Sequence, residues 1–201
     1  MRYAVEHAPV SRNVVKRFVA GETAGDAIRV SSELVTDGLA VSLDHLGEDT
    51  ISAEDAEAAT ASYIELLGVL AEAGLTDRVE VSVKLSALGG VLDHALAVDQ
   101  ARRICSAATL SGTTVTLDME DHTATDATLD AVRELRADFP WVGAVVQAYL
   151  RRTEADCRDL AIAGSRVRLC KVAYDELASV AFVDGDEVEA SYRRCLELLM
   201  R

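Results

Sequence analysis

Proline is nearly absent, at two residues in 201, and no stretch is rich enough in glycine, serine or proline to act as a linker. One domain is therefore expected. The N-terminus, MRYAVEHAPVSRNVV, lacks the continuous apolar stretch of a secretory signal, and no later run approaches the ~20 apolar residues of a bilayer span. A cytoplasmic location is expected, with at most peripheral contact at the inner face of the membrane. Four cysteines, Cys105, Cys157, Cys170 and Cys195, lie far apart, without a C-x-x-C or a histidine pair at zinc spacing. Reduced, buried thiols and no metal are the expectation. Basic residues are outnumbered 34 to 20, and the net charge of −14 disfavours nucleic acid or an anionic membrane as the main partner. There is no G-x-G-x-x-G and no P-loop; ALGGVL at 87 to 92 is too weak to stand for either.

What the chain does contain is alternation. Val14, Val15, Phe18 and Val19 recur at helical spacing, Gly21 interrupts them, and Thr23 with Asp26 opens a further helix, so residues 1–38 read as a helical arm. A short strand follows at 39 to 44. The Ala/Leu/Glu-rich run from Ser52 to Gly74 has a 3.6 period and a glycine at its stop. The unit then recurs. RVEVSVKLS, TTVTLDMED, VGAVVQAYL and SRVRLCKVAY read as strands two to five, separated by helical runs near 97–112, 125–139 and 152–164. Thr125 or Asp126 is expected to cap the second of these helices and Pro140 to close it. A last helix is expected over 183–200.

Strands alternating with helices of this length imply parallel strands joined by right-handed crossovers. Polar residues stand at the end of every strand: Asp44 with His45, Lys84, Asp118, Gln147, then Arg168 with Lys171. In an open doubly wound sheet the site gathers near a switch point, whereas in a (β/α)8 barrel every strand end faces one pocket. The TIM-type barrel explains more. Residues 39–201 supply about five of its eight units, and three more would bring the chain to roughly 300 residues, so the sequence is expected to be C-terminally incomplete. Open parallel edges near 39–44 and 167–172, with apolar inner faces, would favour self-association.

At these residues the chain resembles the monofunctional bacterial proline dehydrogenases. The resemblance is carried by V-S-V-K-L-S-A-L-G (81 to 89), T-L-D-M-E-D (116 to 121), V-V-Q-A-Y-L-R-R-T-E-A-D (145 to 156) and R-L-C-K-V-A-Y (168 to 174), in order and at matching spacing. It implies an FAD-dependent barrel that oxidises L-proline to Δ1-pyrroline-5-carboxylate and passes electrons to a quinone. By the same resemblance, Lys84 lies against the flavin and the substrate carboxylate, Asp118 contacts that lysine, and Met119 lines the flavin. Gln147 would hydrogen-bond the isoalloxazine ring, Arg168 would sit near flavin N5, and Lys171, Val172 and Ala173 would hold the cofactor, with Tyr174 next along.

The residue types suit that chemistry. Hydride loss from a ring carbon beside nitrogen leaves an iminium, so positioning about 3–3.5 Å from the acceptor atom is the protein's main task. A cation near N5 stabilises the reduced ring, and Asp118 would relieve repulsion between Arg168 and Lys84. Two departures from the family pattern stand out. Val172 occupies a position where the family has glycine, and no residue matches its Thr-His cofactor contact or the paired arginines that clamp the proline carboxylate. Tyr192-Arg193-Arg194 resembles that last motif by eye but falls on the helix after strand five, so the role is not carried over.

Other readings remain open on the residues alone. Asp44-His45 could be a helix-capping turn after strand one, Lys84 and Asp118 could be a structural ion pair, Glu120, Asp121 and His122 could form a solvated loop, Gln147 could hydrogen-bond within the core, and Arg168 could merely pair with an acid on a neighbouring strand. A strand-end lysine also suits Schiff-base chemistry of the aldolase kind. Asp44, His45, Asp118, Glu120 and His122 could instead gather a hydrolytic metal. The non-enzyme alternative is an inactive truncated relic.

Overall fold

The computed structural model describes residues 19–47 and 50–201. The first helix among the described residues, α1 (Ala24–Thr36), opens where Thr23 Oγ1 accepts the Asp26 amide at 3.2 Å. Val14, Val15 and Phe18 lie outside the described residues. There follow β1 (Val41–Asp44), α2 (Ala53–Glu72), β2 (Val79–Val83), a 3-10 turn (Ser86–Leu88), α3 (His94–Ser111), β3 (Val115–Leu117) and α4 (Thr125–Arg136). The order continues with β4 (Gly143–Gln147), α5 (Thr153–Leu160), β5 (Val167–Cys170) and α6 (Gly185–Leu199). Side-chain caps at Ser52, Asp93 and Asp184 start α2, α3 and α6 by accepting early helix amides. Gly74 and Gly112 end α2 and α3 in the left-handed region, at φ +68° and +78°.

Several boundaries differ from the expectation, each for a local reason. Asp93 starts α3 three residues before the apolar pattern suggests. For α4 neither Thr125 nor Asp126 is the cap; Asp121 Oδ1 takes the Thr123 and Ala124 amides just ahead of the helix. β5 stops at Cys170 rather than running to Tyr174, because Lys171 turns out of the strand to meet Glu189 on α6 at 2.6 Å.

All five strands are parallel, in the spatial order β1-β2-β3-β4-β5, each beside its predecessor in sequence. There is no switch point, which sets the sheet apart from a doubly wound one. It also curls. In a flat sheet β1 and β5 would stand four spacings, or about 19 Å, apart, well beyond the reach of one side chain. Yet Arg168 Nη2 on β5 donates to Ser42 Oγ on β1 at 2.9 Å. The sheet is a half-barrel with its concave side closed over by this contact.

Period-two alternation divides the strands between two environments. Val79, Val81, Val83, Val115, Leu117 and Ala144 point outward and pack with Tyr63, Leu67 and Leu70 of α2 and Ile104 of α3. Each fully buried side chain of this size stabilises the fold by about 1.5–3 kcal/mol. The alternate positions share the concave face: Ser42 pairs in register with Glu80, Asp44 with Ser82, and Ser82 with Thr116. The expected apolar inner face is thus corrected. The helices take the apolar set, and the lumen receives the polar one. Among the described residues no helix is long and apolar enough to cross a membrane.

Candidate active site in the half-barrel lumen

Glu80 and Arg168 organise the floor of the lumen. Glu80 is the polar member of an alternating strand, V79-E80-V81-S82-V83-K84, which sets Glu80, Ser82 and Lys84 on one face. Its carboxylate accepts Thr114 Oγ1 at 3.1 Å and Thr116 Oγ1 at 3.2 Å, and pairs with both Arg166 and Arg168. Arg168 then reaches upward. Its Nη1 donates to Asp118 Oδ1 at 2.7 Å and to Ser82 Oγ at 3.1 Å, besides the Ser42 contact from Nη2. One guanidinium therefore ties β5 to β1, β2 and the end of β3 through its fork of donors.

Asp118 lies between opposing influences. Burial raises its carboxyl above the usual carboxylate range, and the nearby Asp44 charge adds to that, while the Ser82 hydrogen bond, Arg168 and Lys84 act the other way. Lys84 Nζ donates to Asp44 Oδ2 at 3.1 Å. So Lys84, Asp118 and Arg168, which the sequence singled out, do share one site. Asp44 joins them as a direct partner of Lys84 rather than merely capping a turn.

Behind Asp44 stands Tyr63, a buried residue of α2. Its hydroxyl lies 3.1 Å from Asp44 Oδ1 and 2.9 Å from the Ser82 carbonyl, and it accepts the His45 amide at 3.1 Å. Burial is the largest cause holding its phenol above the ordinary tyrosine value.

Gln147 closes the adjoining strand end. Its Nε2 donates to the Glu120 carbonyl at 2.9 Å and the Met119 carbonyl at 3.4 Å, which joins the ends of β3 and β4. Its Oε1 is buried and has no hydrogen-bond partner among the described residues. Buried acceptors in this condition call for a donor. Met119 is itself buried beside it. Lys171, Val172 and Ala173 are exposed at the rim; the first two line a cleft of about 410 Å³ against α6. Lys171 is engaged there by Glu189 and lies 5.4 Å from the centre of the Tyr192 ring. In the loop after β3, Glu120 accepts the Ser86 amide at 3.1 Å and His122 pairs with Glu176, so only Asp121 of that trio is exposed. Arg193 and Arg194 lie on α6 and engage Glu189 and Glu154.

Two open readings do not fit this arrangement. A Schiff-base lysine acts as an unengaged amine, whereas Asp44 Oδ2 stands 3.1 Å from Lys84 Nζ as an ion-pair partner. Among the described residues no three His, Cys, Asp or Glu side chains are grouped to hold a metal ion.

Gly143 on β4 shows how tightly the floor is packed. A Cβ built there would stand 2.5 Å from Thr116 Oγ1 and 3.2 Å from Thr116 Cβ, so Thr116 would have to leave Glu80. Gly143→Ala is expected to cost about 1–3 kcal/mol in urea denaturation through this overpacking. Adding Thr116→Ala, which removes both the Oγ1 and the Cγ2 that crowd the new Cβ, should recover part of the loss.

The family model described as proline dehydrogenase matches residues 27–176. Proline dehydrogenase 1 of Bacillus subtilis is 34% identical over 183 residues, covering 91% of this chain and 60% of that protein. Proline dehydrogenase of Deinococcus radiodurans is 38% identical over 187 residues, covering 90% and 60%. Among solved structures, proline utilization A from Bdellovibrio bacteriovorus, inactivated by N-propargylglycine, superposes with a TM-score of 0.85 at 25% identity. That match covers 94% of this chain and 24% of the other. The chain thus spans about 60% of the length of the curated single-function relatives it matches.

Proposed function

The chain belongs to the proline dehydrogenase family, and from that premise we propose that its lumen is the flavin side of a site oxidising L-proline to Δ1-pyrroline-5-carboxylate. FAD is the cofactor in this reading and a quinone the final acceptor. The observation that carries it is Gln147 Oε1, a buried acceptor without a partner among the described residues, at the strand end where a flavin ring N–H would donate. When bound, FAD supplies the two-electron acceptor beside the substrate ring.

The residues have distinct tasks. Lys84 presents its ammonium to the proline carboxylate, and Asp44 keeps it aimed into the lumen. Arg168 holds a cation near the flavin N5 position; Asp118 and Glu80 fix its plane from two sides. Gln147 grips the ring edge, and Met119 packs beside it. Lys171, Val172 and Ala173 bound the cofactor at the rim. Of the expected arm, the described residues 19–38, with α1, lead into the barrel portion at 39–201. The protein works in the cytoplasm and approaches the membrane peripherally to reach its quinone, and the exposed edges at β1 and β5 support self-association.

The test is an absorbance spectrum after incubation with FAD and desalting, followed by anaerobic L-proline. Retained flavin bands that bleach with proline and return on adding a soluble quinone are the expected result. Retained bands that never bleach would refute the proline assignment, and no retained flavin would refute the cofactor assignment.

A further inference from the structure

Tyr63 stands on the outer helix layer, yet its hydroxyl is inserted between the ends of β1 and β2. Its side chain is 1% exposed, so no solvent competes for the hydroxyl. Asp44 is shared: Oδ1 faces Tyr63 at 3.1 Å and Oδ2 takes Lys84 at 3.1 Å. Asp44 itself ends β1, which among the described residues pairs with β2 alone. The His45 ring meets the Tyr63 ring edge-on, with centroids 5.9 Å apart, and the His45 amide donates to the hydroxyl. The Asp44 carboxylate and the backbone amide just after it are thereby referred to one phenol oxygen.

We propose that Tyr63 is a positioning residue that acts through Asp44 to fix Lys84 Nζ in the lumen. Without the hydroxyl, Asp44 is free to rotate toward solvent, and Lys84 loses an oriented counter-charge. Its amine is then less firmly held by Asp44 and more accessible to reagent. As far as the substrate is concerned, this inference rests on the role proposed above for Lys84, but its structural part does not.

The sequence offers a direct probe, because Lys16, Lys84 and Lys171 are its three lysines. Acetylation with limiting acetic anhydride, read by peptide mass spectrometry, reports each amine separately. Tyr63→Phe keeps the ring and removes the oxygen. Losing one such hydrogen bond is expected to raise Lys84 labelling about three- to tenfold, with Lys171 unchanged as the internal control. Asp44→Asn should give the same rise at Lys84, and the double variant no more than either single one. Unchanged Lys84 labelling in folded Tyr63→Phe, or additive effects in the double variant, would overturn the proposal. In the FAD-loaded chain the same substitution should raise the KM for proline about three- to tenfold with kcat nearly constant. A fall in kcat at constant KM would also count against it. If the parent chain shows no proline-dependent bleaching, the functional reading fails while the labelling result still decides the role of Tyr63.

Discussion

Arg168→Ala should destabilise the chain by about 2–3 kcal/mol at neutral pH, and by less in acid. Removing one partner of a buried pair costs about 3–5 kcal/mol; the value is discounted here because the Arg168 side chain is 36% exposed and partly screened. The pH dependence follows from Asp118. Its folded carboxyl is already raised above its unfolded value, chiefly by burial. Such a group favours the fold most fully below its unfolded pKa, and that contribution is lost as pH rises through the folded one. Without Arg168 the folded value moves up further, so the deficit relative to the parent should grow between pH 4.5 and 7.5. Urea titrations at both pH values measure it, and an equal deficit at both would show that Asp118 is not the group left stranded. Arg168→Ala with Asp118→Asn should lose less at pH 7.5 than Arg168→Ala alone, since no buried charge remains unpaired at the end of β3.

The second large effect lies in the outer core. Leu67 is fully buried in the C-terminal half of α2, within the cluster that joins α2 and α3 to the convex side of the sheet. Leu67→Ala is expected to cost about 2–5 kcal/mol, toward the upper end if the surrounding valines and Tyr63 cannot collapse into the space. Total stabilities of about 5–15 kcal/mol are usual, so this substitution removes a large fraction. Unlike Arg168→Ala, its cost should be the same at both pH values, because no titrating group changes its surroundings. Leu110→Ala, at a leucine 91% exposed on α3, is the control and should stay within about 0.5 kcal/mol.

Much of this architecture is legible in the amino-acid order. The alternation of strand and helix, the glycine stops at 74 and 112, and the polar residue at each strand end are local signals, and the folded chain preserves them. The strand-end set also converges as a barrel requires, at least for Lys84, Asp118 and Arg168. Less legible is what depends on which face a residue takes. Glu80 was readable in principle, since V79-E80-V81-S82-V83-K84 alternates cleanly, but its two arginine partners lie far along the chain. Tyr63 gives no hint at all: on an Ala/Leu-rich helix it reads as one more apolar anchor, and its hydroxyl matters only once β1 and β2 lie beneath it. Lys171 is the opposite case, a strand-end cation by position that turns to α6 because Glu189 waits there.

The strand order has a consequence for how such a chain is made. Each strand docks on the one synthesised just before it, so every new β/α unit finds its template already in place as it leaves the ribosome. Pairing need never wait for a distant partner. The exceptions are the links that Arg166 and Arg168 make back across the lumen; the longest, from Arg168 to Ser42, joins residues 126 apart and must close after all four intervening crossovers are complete. Assembly would thus proceed as a ratchet of short steps, with the guanidinium of β5 arriving last to draw the first and fifth strands into an arc.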